Sequence, residues 1–217
     1  MPIAAVAFDM DGLMFNSESL YEQVGDELLR RRGHRVSREL LNRMMGRPAA
    51  VALQAMIDFH RLDATIEQLQ AETEAIFPAI VAEQLQTMDG LLPLLDALES
   101  ASVPKAVCTS SRRIYADQKL RMFSLIDRFD FVLTGEDVEQ GKPHPEIYRT
   151  AASRWQLPAS QMMVLEDSEI GCRAAVASGA FAVAVPGPHS AHHEFPGAQF
   201  VANTLRDPRI YEAFSER

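Results

Sequence analysis

The sequence predicts an α/β protein built on a doubly wound parallel sheet, with a small all-helical segment inserted after the first strand. Short apolar runs alternate with helical patterns in the second half of the chain, which favours parallel strands covered on both faces. Between Asn16 and Met88 the pattern is helical, without a convincing strand. We therefore expect a core formed by residues 1–15 and 89–217, and a helical domain formed by residues 16–88.

The composition is that of an ordinary globular protein, because 47% of the 217 residues are hydrophobic and 24% are charged. The formal net charge of -9 disfavours nucleic acid and anionic membranes as partners. Two cysteines do not suggest a disulfide framework, and the N-terminal apolar run is too short for a signal or membrane-spanning segment. We expect a cytoplasmic protein that is a monomer or a weak homodimer.

The first predicted strand covers residues 3–8 and is followed by two aspartates, Asp9 and Asp11. Alternate residues of an extended chain point to the same side, so both carboxylates can share one site. That site lies at the carboxyl end of a parallel strand, where such sheets bind ligands, and Gly12 permits a sharp turn there. An Asp-x-Asp sequence also occurs in ordinary turns, so its meaning depends on the other strand ends.

The helical segment carries two matches to an N-terminal capping box, Ser19-x-x-Glu22 and Thr65-x-x-Gln68. Each predicts the start of a helix. Pro78 lies in the helix that follows Thr65, and we expect it to kink or break that helix.

Later predicted strands cover residues 104–108, 131–133, 162–165 and 181–185. Polar residues follow two of them, and a lysine lies in the loop between Gly141 and Pro143; these residues are Thr109, Ser110, Lys142, Glu166 and Asp167. Carboxylates gathered at one sheet edge repel each other unless a divalent cation lies among them, and a few hard oxygen ligands suit Mg²⁺. Hydroxyl and ammonium groups suit a phosphoryl group.

Each of these residues also has an ordinary structural alternative. Thr109 could cap the next helix, Lys142 could be a solvated loop residue, and Glu166 and Asp167 could belong to the first turn of a helix. Three histidines, His189, His192 and His193, could bind a metal, but a polar loop is the better interpretation.

Four segments, FDMDGL, CTSSR, GKPHPEIY and LEDSEIG, resemble in order and spacing the motifs of the haloacid-dehalogenase-like hydrolase superfamily. More narrowly, they are similar to those of β-phosphoglucomutase-like phosphatases with a helical cap. The resemblance implies a Rossmann-like core, with residues 16–88 as the cap. It also implies a Mg²⁺-dependent phosphatase that hydrolyses a small phosphorylated metabolite, a sugar phosphate or a nucleoside- or nucleotide-like monophosphate, through an aspartyl-phosphate.

The resemblance assigns a role to each motif residue. Asp9 would be the nucleophile, and Asp11 would protonate the leaving alcohol and then activate water. The phosphoryl group would be held by Thr109, Ser110 and Lys142. Magnesium would be held by the Asp9 side chain, the Asp11 backbone carbonyl, Asp167 and, directly or through water, Glu166.

Alternatives within this resemblance stay open. Asp11 favours phosphate-ester chemistry over dehalogenation, since a halide leaves without a proton. A phosphosugar mutase of the β-phosphoglucomutase type is the second hypothesis, although the residues after Asn16 lack the histidine of that subgroup. A non-catalytic binding protein is the third. Arg47 and Arg112 are candidates for substrate recognition, and a solvated surface arginine is an equal alternative for Arg47.

Overall fold

The computed structural model describes residues 3–44 and 47–215. Strand β1 (Ala5–Phe8) is followed by four helices, which we call the inserted helices: α1 (Ser17–Arg30), α2 (Arg38–Met44), α3 (Ala49–His60) and α4 (Ile66–Gln84). The chain then continues through α5 (Leu91–Ser100), β2 (Lys105–Cys108), α6 (Arg113–Met122), β3 (Phe131–Leu133), α7 (Glu146–Arg154), β4 (Met162–Glu166), α8 (Glu169–Ser178), β5 (Phe181–Ala184), β6 (Phe200–Val201) and α9 (Pro208–Ser215). This alternation confirms the predicted α/β class.

The described strands form one parallel sheet in the order β3-β2-β1-β4-β5-β6. Strand β1 lies in the middle, with Phe8 in register with Val107 of β2 and Leu165 of β4. The order of the strands reverses direction at β1, and crevices at such points hold the ligands of doubly wound sheets. Neither β6 nor α9 is predicted from the sequence. A strand of two residues, such as β6, is too short to show a pattern.

Both faces of the sheet are covered, and successive strand residues belong to opposite faces. Val6 and Phe8 belong to the same hydrophobic cluster as Leu95 of α5 and Leu120 of α6, and this cluster also includes residues of the inserted helices. Ala7 lies in a second cluster, with residues of α7 and α8. The uninterrupted apolar strands predicted from the sequence are therefore those of a sheet buried on both sides.

The inserted helices differ from the sequence prediction at two points. Helix α4 begins with the predicted capping box at Thr65, but it continues through Pro78 as one helix. The predicted break there is wrong, and a kink stays a prediction. Phe77 and Val81 on either side of the proline are both buried, and this packing holds the helix together. The box at Ser19 is also wrong, because α1 begins at Ser17 and the Ser19 hydroxyl donates to the Asn16 carbonyl at 2.7 Å.

All four inserted helices lie within the range 16–88 assigned to a separate domain. The division into two domains stays a prediction. Across residues 3–44 and 47–215, every helix is too short or too polar to cross a lipid bilayer.

Candidate active site

Asp9 follows β1 directly and is 8% exposed. Its backbone N–H donates to the Leu165 carbonyl at 3.0 Å, so the sheet itself holds this residue. Burial raises the pKa of Asp9 from 3.8 to about 7; Lys142 opposes that rise, and the nearby carboxylates of Glu166 and Asp11 add to it. A further positive charge close to Asp9 would therefore stabilise the ionised form of this carboxylate.

Lys142 reaches this carboxylate from the loop between β3 and α7. Its ammonium donates to Oδ1 of Asp9 at 2.5 Å, to Oε1 of Glu166 at 2.6 Å and to the Cys108 carbonyl at 2.9 Å. Burial by itself lowers the pKa of Lys142, but the two carboxylates raise it above its ordinary value. The lysine is a buried cation rather than a solvated loop residue.

Glu166 ends β4 and is 1% exposed. The Tyr148 hydroxyl donates to Oε1 at 2.6 Å, and the Ser168 hydroxyl donates to Oε2 at 3.2 Å. The carboxylate also lies against the backbone of α8, where a Cβ on Gly171 would stand only 1.9 Å from Oε1. A glycine in the LEDSEIG segment is therefore required to leave room for the acid.

Asp9, Glu166 and Asp167 form a buried acidic group in which one carboxylate oxygen of each residue lies within 4.8 Å of those of the other two. Oxygen donors of this kind fit a hard divalent cation. Glu166 and Asp167 precede α8, which begins at Glu169 with Ser168 as its cap, so they do not belong to the first turn of that helix. The Asp11 carboxylate lies outside the group, and ligation by its backbone carbonyl stays a prediction.

The Asp11 carboxylate is surrounded by donors. Ser17 donates to Oδ1 at 2.5 Å, Ser111 donates to Oδ2 at 2.6 Å, and Thr109 lies 3.4 Å from Oδ2. The Lys119 ammonium also donates to Oδ1. Burial by itself raises the pKa of Asp11, but Lys119 and the hydroxyls of Ser111 and Ser17 lower it below 3.8. Gly12 then turns the chain with φ of 87°, in the region that glycine favours, as predicted.

Ser111 and Lys119 are not among the site residues predicted from the sequence. Ser111 could have been found, because it lies two residues after Thr109 and so points to the same side of an extended chain. Lys119 has a weaker signal, since it lies on the same face of α6 as the buried residue Ala116. Only its burial, with a side chain 0% exposed, distinguishes it from the surface lysines of an ordinary helix.

Thr109 and Ser110 follow β2, as predicted, but they have different surroundings. The Thr109 hydroxyl accepts the Ser111 N–H at 3.0 Å, two residues before α6 begins, and so does not cap that helix. The Ser110 carbonyl lies so close to Gly135 that a Cβ there would approach it to 2.7 Å. Both residues line the same cavity as Asp9 and Lys142.

The cavity has a volume of about 520 Å³ and is lined by the strand ends and by the inserted helices. Both candidate recognition residues line it, but they differ in their partners. Arg112 donates to Glu74 of α4 at 2.9 Å and to Glu136 at 3.3 Å. Arg47 is exposed and has no carboxylate within ion-pair distance in the described part of the chain. Arg47 is therefore the more available cation of the two.

The three histidines after β5 face different partners. His189 lies 3.6 Å from Glu22, His192 lies 3.1 Å from Asn42, and His193 accepts the Glu169 N–H at 3.3 Å. They do not converge on a metal site within residues 3–44 and 47–215, which agrees with the polar-loop interpretation.

The model of the haloacid dehalogenase-like hydrolase family matches residues 6–185. The chain is 35% identical over 186 residues to validoxylamine A 7'-phosphate phosphatase of Streptomyces hygroscopicus subsp. limoneus, over 85% of this chain and 86% of that protein. It is 29% identical to a phosphorylated carbohydrates phosphatase of Thermotoga maritima, over 81% of each chain. A crystal structure of a CbbY variant from Rhodobacter sphaeroides, in complex with xylulose-(1,5)bisphosphate, is 26% identical and superposes with a TM-score of 0.81 over 94% of this chain and 96% of that one. Since the family model spans most of the sheet and the motifs at its strand ends, the chain belongs to the haloacid dehalogenase-like hydrolases.

Proposed function

We propose that this protein is a phosphoric monoester hydrolase that transfers the phosphoryl group of a small metabolite first to Asp9 and then to water. The observation that carries the proposal is the setting of Asp9. Its carboxylate is buried on a cavity wall, bonded to Lys142 at 2.5 Å and grouped with Glu166 and Asp167. An acid held in this way can attack phosphorus, since the lysine offsets the charge of the incoming phosphoryl group.

The reaction takes place in two steps, and this chain's residues handle the protons. An Asp9 carboxylate oxygen attacks phosphorus as the bond to the ester oxygen breaks, and a proton on Asp11 passes to the leaving oxygen. The resulting Asp11 carboxylate then takes a proton from water, whose oxygen attacks the aspartyl-phosphate and releases Asp9. Thr109, Ser110 and Lys142 hold the phosphoryl oxygens during both steps.

The acidic group is the proposed site for Mg²⁺. Asp9 and Asp167 would hold the ion through their side chains, Asp11 would hold it through its backbone carbonyl, and Glu166 would bind directly or through water. Bound Mg²⁺ supplies charge that offsets the repulsion between these acids and a phosphoryl group. Glu166 already accepts from Lys142 and Tyr148, which favours a further role for it in holding the lysine.

The proposed substrate is a sugar phosphate or a nucleoside- or nucleotide-like monophosphate. A cavity of about 520 Å³ has room for a molecule of that size. One relative is named for phosphorylated carbohydrates and another for validoxylamine A 7'-phosphate. We further propose that the inserted helices act as a cap over the cavity, with Arg47 as the recognition residue they supply. Arg112 would act from the core side.

We propose a cytoplasmic setting, because Cys108 and Cys172 are both buried and free of disulfides. The protein would act on a free metabolite, as a monomer or weak homodimer. Light scattering at several protein concentrations checks the oligomeric state.

The test is phosphate release from a panel of phosphorylated metabolites, with Mg²⁺ and with chelator. We compare the wild type with Asp9→Asn and with a matched control, Asp96→Asn, which changes an exposed aspartate of α5. We expect metal-dependent release that Asp9→Asn abolishes and that the control retains. Release that survives Asp9→Asn contradicts the nucleophile. Absence of release, with isomerisation of a hexose phosphate in the presence of its bisphosphate, supports the mutase instead.

A further inference from the structure

Lys119 lies on α6 and contacts both Asp11 and the inserted helices. Its ammonium pairs with Oδ1 of Asp11 and lies 3.2 Å from the Tyr21 hydroxyl. The ammonium also lies 5.0 Å from the ring centroid of Tyr21 on α1 and 5.8 Å from that of Phe77 on α4. Those two rings stack on each other at 4.7 Å. The lysine therefore joins a core carboxylate to an aromatic pair supplied by the inserted helices.

A buried lysine is costly and is retained only where its charge is compensated. The ordinary interpretation is that this ion pair simply fastens α6 to the rest of the protein. Two observations favour a more specific role. The compensating carboxylate is Asp11, which lines the cavity, and the hydroxyls of Ser17 and Ser111 constrain the same carboxylate from other directions. Together these donors leave the Asp11 carboxylate little freedom to rotate.

We propose that Lys119 is a positioning residue that orients Asp11 and makes this orientation depend on how the inserted helices pack against the core. This inference rests on the proposed function, because Asp11 must exchange protons with the leaving alcohol and with water. The ammonium keeps its place only while the Tyr21 and Phe77 rings cover it. If α1 and α4 moved away from α6, water would replace the rings and the ion pair would weaken.

Orientation and charge act on the first step in opposite directions, which makes the inference testable. Asp11 must give a proton to the leaving oxygen, and a cation beside it makes that proton harder to hold. If Lys119 acted through charge alone, its removal would favour proton donation. If it acts through orientation, its removal misplaces the carboxyl group and slows the step.

The experiment compares two esters in each variant. A sugar oxygen must be protonated as it leaves, whereas p-nitrophenoxide leaves readily as an anion, so only the sugar phosphate needs a well-placed Asp11. We measure kcat/KM, which covers the steps up to loss of the alcohol, for p-nitrophenyl phosphate and for the sugar phosphate that ranks first in the release panel. The ratio of the two values does not depend on the fraction of folded enzyme.

The variant is Lys119→Met, and Lys105→Met is its matched control, since Lys105 is also buried but begins β2 at the opposite edge of the sheet. We expect Lys119→Met to lower kcat/KM for the sugar phosphate by about 100-fold, as expected for a misplaced catalytic group, and to change the aryl ester far less. Lys105→Met should leave the ratio of the two values unchanged.

An unchanged or increased ratio of sugar phosphate to aryl ester in Lys119→Met overturns the inference. If that variant does not fold, Tyr21→Leu removes one of the two rings over the ammonium together with its hydroxyl contact, and a fall of this ratio is again the expected result. Failure of the wild type to release phosphate from any ester contradicts the proposed function and this inference together. An active wild type with unaffected ratios in the variants contradicts this inference alone.

Discussion

Replacing Gly171 with alanine tests whether the space beside Glu166 is needed for catalysis. The new Cβ would lie 1.9 Å from Oε1, 2.1 Å from Cδ and 2.2 Å from Oε2 of Glu166, whereas ordinary contacts begin at 3.4 Å. The carboxylate must therefore retreat by about 1.5 Å, the difference between 3.4 and 1.9 Å. Because the Glu166 side chain is buried at the end of β4, its neighbours must move with it.

Displacement of the Glu166 carboxylate should have its largest effect on Lys142. A displacement of that size moves Oε1 away from the position in which it accepts from Lys142 at 2.6 Å. The contact with one of the two carboxylate partners of this ammonium is then disturbed, and with it the position of the charge that faces Asp9. We expect kcat/KM for phosphate release to fall by about 100-fold, since misplacement by an ångström has effects of this size. The free energy of unfolding should fall by about 1–3 kcal/mol, as for other overpacked sites.

A second substitution separates this steric cause from a general effect on α8. Glu166→Asp shortens the side chain by one methylene and withdraws its carboxylate, so the combination of Gly171→Ala with Glu166→Asp should lose no more activity than Glu166→Asp alone. Ala177→Ser, on the exposed face of the same helix, is the control and should retain wild-type kcat/KM. Wild-type activity in Gly171→Ala, or losses that multiply in the double variant, would refute the reasoning.

Three further outcomes follow from the contacts around Asp9 and from the cap of α4. Lys142→Met should lower kcat/KM by about 10²–10³-fold, because it removes the cation facing Asp9 and Glu166. Steady-state assays of phosphate release check this, and a loss below about tenfold would contradict it. In chelator, folded Asp9 has a pKa of about 7 against 3.8 when unfolded, so the folded state binds more protons and stability should fall as pH rises between those values. Urea unfolding at several pH values checks the sign, and Asp9→Asn should flatten the dependence. Thr65→Ala should lower the free energy of unfolding by about 1 kcal/mol without changing kcat/KM, because it removes only a helix cap; an effect on activity would contradict that assignment.

The fold was predicted from local sequence patterns, namely apolar runs and helix-capping residues. The apolar runs before Asp9, Thr109 and Glu166 are β1, β2 and β4, because a strand buried on both faces is a continuous apolar run in the sequence itself. The Thr65 capping box was equally local, since its donor and acceptor lie three residues apart. The α/β class could therefore be deduced without coordinates, and so could the order along the chain of the polar residues that follow the strands. The family motifs lie at those strand ends.

Local signals also failed where packing competed with them. Proline by itself disfavours a helix, yet α4 continues through Pro78 because Phe77 before it and Val81 after it are both buried. Ser19 fits a capping box, but the helix had already begun at Ser17. At Pro78 the local preference was overridden by tertiary contacts, which a sequence pattern does not contain.

The sequence by itself determined which chemical groups follow which strands, and so it identified Asp9, Lys142 and Asp167 as candidates. Only the tertiary structure decided how these groups are held. Lys119 meets Asp11 across 108 residues of chain, and Gly171 makes room for Glu166 because α8 folds back onto the end of β4. The physical reason is that a strand or helix is specified by neighbours along the chain, whereas the orientation of a buried charge depends on partners that only the topology brings within a few ångströms.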